Sequence, residues 1–181
     1  MLEKRRRVQI EQPDAIARLA EHLKGWLARY DFRDVGFYRP IRGEPDLTAV
    51  FTEWVAEGSC RRLCVPLIDD VREGRMHYGV WNAERVCPGV YGIEEPQEDV
   101  PAEPDVIFSP CVGLTREGYR LGNGGGFFDR WLAQRVDCAN KPVTVAVGFD
   151  CLMMETFVPM PFDIPMDWIL TESGIKKAAV R

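Results

Sequence analysis

Histidine is scarce in this chain, at two among 181 residues, His22 and His77, and no Cys-x-x-Cys pair accompanies them. The six cysteines stand at 60, 64, 87, 111, 138 and 151. Cys60 and Cys64 are spaced too irregularly for a zinc ligand set, so the thiols are expected to be reduced and mostly buried. No apolar run approaches the length of a membrane span. The charged start, Met1-Leu2-Glu3-Lys4-Arg5-Arg6-Arg7, also lacks the hydrophobic segment of a secretory signal, and the expected location is cytoplasmic. Positive charge is short as well: the net charge of −5 argues against nucleic acid, and the single basic run, Lys4 to Arg7, reads as a solvated helix end. Nor does Lys-Ser or Lys-Thr follow the glycines, which excludes the ordinary P-loop pattern.

What is present concentrates at Arg120-Leu121-Gly122-Asn123-Gly124-Gly125-Gly126-Phe127-Phe128-Asp129-Arg130. A near-continuous glycine run opens into a segment whose apolar residues, Phe127, Phe128, Trp131 and Leu132, recur at helical spacing. Glycine lets a ligand approach the main chain, and the unpaired amides of a helix start favour anions, so the segment reads as a phosphate loop. Asp129 in the first helical turn would repel bare phosphate. Its presence points to a bridging Mg²⁺, with Arg120 and Arg130 completing the charge balance.

With 46% hydrophobic residues, 181 residues fit one compact domain spanning 1–181. The patterning predicts helices over Pro13–Arg29 and Asp46–Ala56. Strands are expected over Val35–Tyr38, Leu63–Ile68, Met76–Trp81, Val106–Ser109, Thr144–Phe149 and Trp168–Leu170. Short apolar strands interleaved with helices indicate an α/β fold: a mainly parallel open sheet flanked by helices, Rossmann-like and three-layered. Glu94–Pro104, rich in proline and acid, reads as a surface loop. In such sheets ligands bind beyond the carboxyl ends of the strands, which would bring Gly43-Glu44 and the glycine loop to one edge.

The run from Pro110 and Val112 through Gly118, Arg120-Leu121-Gly122, Gly124 and Gly126 to Phe127-Phe128-Asp129-Arg130 resembles the signature of the 5-formyltetrahydrofolate cyclo-ligases, or methenyltetrahydrofolate synthetases. The resemblance extends in order from about Asp34 to Glu172. It takes in Gly36-Phe37-Tyr38-Arg39-Pro40, Gly43-Glu44-Pro45-Asp46, Arg62-Leu63-Cys64-Val65-Pro66, Met76, Gly92-Ile93-Glu94-Glu95-Pro96, Asp105 to Pro110, Val147 to Asp150, Phe162 to Asp167 and Thr171-Glu172. It implies a monomeric or homodimeric enzyme that uses ATP to phosphorylate the formyl oxygen of 5-formyltetrahydrofolate. N10 then attacks the activated carbon and phosphate leaves, giving 5,10-methenyltetrahydrofolate.

The resemblance also implies roles. ATP would be held by Lys4 and by Arg120, Leu121, Gly122, Asn123, Gly124, Gly125, Gly126, Phe127 and Phe128, with Arg120 catalytic. The reduced folate would meet Tyr38, Glu44 and the loop from Asn123 to Phe127, with Glu44 on the paired N–H groups of the pterin. Mg²⁺ would be bound by Asp129 and Asp163. The chain departs from the pattern at Asn123 and Phe128, where tyrosine is frequent, and at Cys111, Thr115, Leu152 and Met160-Pro161. Lys4 to Arg7 resembles only the second of two basic clusters, so either the recorded start lies downstream of the true one, or these residues substitute for the first, or ATP binding is weakened. Two alternatives stand beside the enzyme: a catalytically weakened homologue that retains folate or nucleotide binding, and a sugar-phosphate or coenzyme-A-related enzyme of similar fold.

Overall fold

A computed structural model describes residues 2–179. Four helices run over α1 Leu2–Glu11, α2 Ala15–Leu27, α3 Thr48–Ala56 and α4 Phe127–Ala133 among these residues. The strands are β1 Asp34–Gly36, β2 Arg62–Asp70, β3 Arg75–Val80, β4 Val86–Pro88, β5 Glu94–Pro96, β6 Pro101–Ala102, β7 Val106–Pro110, β8 Gly113–Leu114, β9 Arg120–Leu121, β10 Val143–Val147, β11 Trp168–Thr171 and β12 Gly174–Lys177. Eight of them form one sheet in the order β12-β11-β10-β7-β1-β2-β3-β6, and β4-β5 and β8-β9 form separate two-stranded ribbons.

From β11 to β2 the sheet is parallel throughout. The edges, β3, β6 and β12, pair antiparallel. The expected mainly parallel α/β sheet is therefore present. Its continuous apolar strands follow from burial on both faces. Along β7, Val106 and Phe108 face the cluster built with α2 and α3, while Ile107 faces the cluster that holds Trp131 and Leu132 of α4. Within α2, Leu19, Leu23, Trp26 and Leu27 repeat at helical spacing and are all buried, so one stripe of the helix is spent on the sheet.

Chain order reverses at the middle of the sheet. After β1 the chain crosses through α3 to β2 on one side, and it later returns through β7, on the other side of β1, to build outward through β10 and β11. The carboxyl ends of β1 and β7 therefore flank a topological switch point, the crevice where ligands bind in open α/β sheets. Three expectations change. Glu94–Pro104 is not simply loop, because it contributes β5 and the edge strand β6, with Pro96 and Ala102 buried. The basic run is not a solvated helix end, because Arg5 of α1 is completely buried. The thiols are all free as expected, but Cys60, Cys87 and Cys138 are exposed.

Candidate active site at the switch point

The connection after β1 carries Glu44, and backbone geometry forces it inward. Arg42 and Gly43 both take positive φ, 51° and 79°, turning the chain back so that the Glu44 amide bonds the Ile41 carbonyl at 3.0 Å. A side chain at Gly43 would come within 3.3 Å of Arg6, so glycine lets α1 lie directly on this connection. Tyr38 staples the turn from beneath, donating its hydroxyl proton to the Pro45 carbonyl at 2.6 Å. Buried and so committed, it supports the connection instead of presenting itself to a substrate. Burial first, and the nearby Glu44 carboxylate second, push its pKa well above the usual phenol range.

Glu44 is 4% exposed. Its Oε2 accepts the Ile41 amide at 3.0 Å, and its Oε1 lies 3.5 Å from both Arg5 Nη1 and Asn123 Nδ2. Burial is the strongest influence on its pKa and raises it, against the Ile41 amide, Arg5, Asn123 and Arg42, which favour the ionised form. Arg5 also donates to the carbonyls of Arg42 at 2.8 and 3.2 Å, Ile41 at 3.4 Å and Cys111 at 3.2 Å. It thus ties the connection after β1 to the residue that follows β7. Beside it the Cys111 thiol, pushed up to about 12 by burial, stays neutral.

On the β7 side, the ribbon of β8 and β9 leads Arg120 into the interior. Its side chain is 4% exposed and pairs with Asp129 Oδ2 at 3.2 Å. The guanidinium carbon sits 5.1 Å from the centre of the Phe128 ring. Nε and Nη2 of Arg120 are buried without a hydrogen-bond partner among the described residues. Buried donors left unpaired are costly, so two unpartnered nitrogens on a permanent cation make this a chemically provided place for an anion.

The glycine loop lies next to it, exposed from Asn123 to Gly126. Gly124 takes φ 95° with open space around it, and Gly126 takes φ 62° at the start of α4. Arg130 folds back to donate to the Gly125 carbonyl at 2.6 Å, which fixes the far side of the loop. Phe127 and Phe128 are half-buried, while Leu121 and Gly122 lie at the rim.

The remaining expected residues divide. Asp129 gives its second oxygen, Oδ1, to the Ile164 amide at 3.2 Å, which brings the segment of Asp163 alongside. Asp163 itself closes a turn by accepting the Met160 amide at 2.7 Å. No group of three His, Cys, Asp or Glu residues suited to a metal occurs among the described residues. Asp129 and Asp163 stand on adjoining segments, with both Asp129 oxygens and Oδ2 of Asp163 already engaged within the protein. Lys4 is exposed and lies toward Cys151, just past the carboxyl end of β10, favouring the thiolate there against the larger effect of burial. The inward cation of α1 is Arg5, which the sequence reading passed over. One signal pointed to it, since Arg5 shares a helix face with the buried Val8 three residues on.

A cleft of about 300 Å³ adjoins this site, lined by Arg39, Ile41, Thr48 and Glu94 among others. A larger one, about 710 Å³, lies at the amino ends of β10 and β11 around Lys141 and Trp168, at the opposite edge of the sheet from the switch point.

Comparison with known proteins bears on the family and the fold. The family model described as the 5-formyltetrahydrofolate cyclo-ligase family matches residues 1–172. A 5-formyltetrahydrofolate cyclo-ligase of Mycolicibacterium smegmatis is 30% identical over 162 residues, covering 84% of this chain and 81% of the relative. Among solved structures, the 5,10-methenyltetrahydrofolate synthetase of Aquifex aeolicus superposes with a TM-score of 0.81 at 27% identity, over 99% of this chain and 90% of that one. The Mycoplasma pneumoniae synthetase shares the fold at 21% identity, with a TM-score of 0.74 and coverage of 94% and 93%. The chain belongs to the 5-formyltetrahydrofolate cyclo-ligase family.

Proposed function

We propose that this protein converts 5-formyltetrahydrofolate to 5,10-methenyltetrahydrofolate with ATP as co-substrate, through a phosphorylated formyl oxygen. The observation that carries the reading is Arg120, a buried cation with two unpartnered nitrogens beside an exposed glycine loop. Transfer of a phosphoryl group requires positioning and charge neutralisation more than a side-chain nucleophile. Arg120 and the loop amides hold the phosphates, and Glu44 accepts the N–H edge of the pterin. The Asn123 amide, on the glycine loop and 3.5 Å from Glu44, brings the two substrates to one crevice.

The chemistry balances without a covalent enzyme intermediate. The formyl oxygen attacks the γ-phosphorus and ADP leaves; N10 adds to the activated carbon and gives up its proton to water; the C–O bond then breaks, and phosphate departs with the former formyl oxygen. Held by Asp129 and Asp163, Mg²⁺ would neutralise phosphate oxygens as their charge builds. Partial exclusion of water around Arg120 strengthens its field on the same oxygens.

Isotope transfer tests the route. With ¹⁸O in the formyl group, the label is expected in the released inorganic phosphate, one atom per turnover. Label released to water, with unlabelled phosphate, would show that the formyl oxygen is never phosphorylated.

A further inference from the structure

Arg5 is fully buried, yet it reaches no surface and faces no free anion; all its contacts are to the two connections that flank the switch point. Burying a guanidinium is expensive unless its hydrogen bonds and charge are matched. Here three backbone carbonyls and one carboxylate do so. The carbonyls alone would satisfy the donors of a structural arginine. The carboxylate adds a second consequence, because Glu44 is nearly as buried and burial favours its neutral, protonated form.

A protonated Glu44 is a different recognition group. An ionised carboxylate only accepts hydrogen bonds, up to about four of them, whereas the acid carries a proton that would oppose an incoming N–H. We infer that Arg5 is a positioning residue for folate: it keeps Glu44 ionised and aimed at the crevice, so that the carboxylate accepts the paired N–H donors of the pterin. This rests on the proposed cyclo-ligase reading, with Glu44 as the folate contact.

The neighbourhood leaves few substitutes for Arg5. Facing Glu44 are Arg42 and Tyr38 from its own connection, with Cys111 and Asn123 from the β7 side. Tyr38 and Cys111 are neutral at physiological pH, since burial raises both, and Asn123 carries no charge. Arg42 is the remaining cation, and it is the weakest of the influences on Glu44. The Ile41 amide and Asn123 also favour the ionised form of Glu44, and Arg5, 3.5 Å away, is the larger of the two charges acting on it.

The test compares Arg5→Met, Arg5→Lys and Glu44→Gln, each with separate Michaelis constants for folate and ATP across pH 6–9. Arg5→Met is expected to raise the folate KM about tenfold at neutral pH, the worth of one charge-assisted bond. That loss should shrink as pH rises and Glu44 ionises unaided. Arg5→Lys keeps the charge and should restore much of the affinity, and the ATP KM should hardly move in either variant. A folate KM raised equally at all pH values, or not raised, in a folded Arg5→Met protein overturns the inference. If Glu44→Gln leaves the folate KM unchanged, the folate assignment of Glu44 fails instead, and the two failures are told apart.

Should Arg5→Met not fold, the wild type decides. The infrared difference spectrum of wild type minus Glu44→Gln at pH 7 is expected to show an ionised carboxylate at position 44 and no protonated carboxyl band. A protonated band there contradicts the inference.

Discussion

Asp129 stands as the counter-ion of Arg120, 3.2 Å away and largely buried with it, while its other oxygen holds the Ile164 amide. From the sequence, Asp129 next to the glycines suggested a cation bridging to phosphate. Within the fold its carboxylate already neutralises the buried arginine, so an incoming phosphate and Asp129 address the same guanidinium. The site is thereby neutral before substrate arrives, and Nε and Nη2 of Arg120 remain for the anion.

Asp129→Asn should therefore lose turnover and also lose stability, because a buried cation is left without its partner. Breaking such a pair costs about 3 kcal/mol, the low end of the range, given that Asp129 is partly exposed. For a chain of this size that corresponds to a melting temperature lower by roughly 6–12 °C. Inorganic phosphate should restore more of the melting temperature in Asp129→Asn than in wild type, since in the variant the anion replaces the missing charge. Equal phosphate effects in the two proteins would argue against an anion at Arg120.

Arg120→Met addresses the same place from the other side. Removing the cation should weaken ATP binding at least about tenfold, because charge-assisted bonds to phosphate contribute about 1.5–3 kcal/mol each. Folate binding, measured by calorimetry without nucleotide, should stay within about twofold, as Glu44 is held by Arg5, Ile41 and Asn123 and not by Arg120. A matched loss for both ligands would remove the division of labour between the two connections.

Much of this was legible in the sequence, and the reasons for the rest are physical. The glycine run is conspicuous, and Gly124 and Gly126 within it take the positive φ that favours glycine. The central strands are conspicuous because both faces of β7 and β10 are covered, leaving uninterrupted apolar runs. Arg5 was hidden inside Arg5-Arg6-Arg7, where composition does not separate three identical residues and only the helical spacing from Arg5 to Val8 marks the inward one. The strand β12 was hidden by Lys176 and Lys177, which guard an exposed sheet edge and break the apolar pattern. Helix α3 begins at Thr48, two residues later than expected, because the Asp46 side chain accepts the Thr48 amide at 3.0 Å and makes a turn there.

A pH-dependent clamp lies on the edge of the sheet nearest β6. His77 of β3 places Nδ1 2.7 Å from Asp69 and Nε2 2.8 Å from Asp99, and both nitrogens donate only when the ring is charged. Burial lowers its pKa, but the bonds to Asp99 and Asp69 outweigh this and the net shift is upward. A raised folded pKa means that the stabilisation is complete below the unfolded value, about 6.5, and is lost as pH rises through the folded value. The melting temperature of wild type should exceed that of His77→Gln most at about pH 6, with the gap narrowing above neutrality. A gap that is constant from pH 6 to 9 would show that the ring acts by packing alone.

The central claim is that one crevice brings ATP and 5-formyltetrahydrofolate together for reaction. Mixing the purified protein with 5-formyltetrahydrofolate, ATP and Mg²⁺ measures it directly, by following methenyltetrahydrofolate absorbance and ADP in the same sample. The account predicts that both appear only when all components are present, in a one-to-one ratio. Folate and ATP binding with no methenyl product, or ADP release that does not depend on folate, would contradict it.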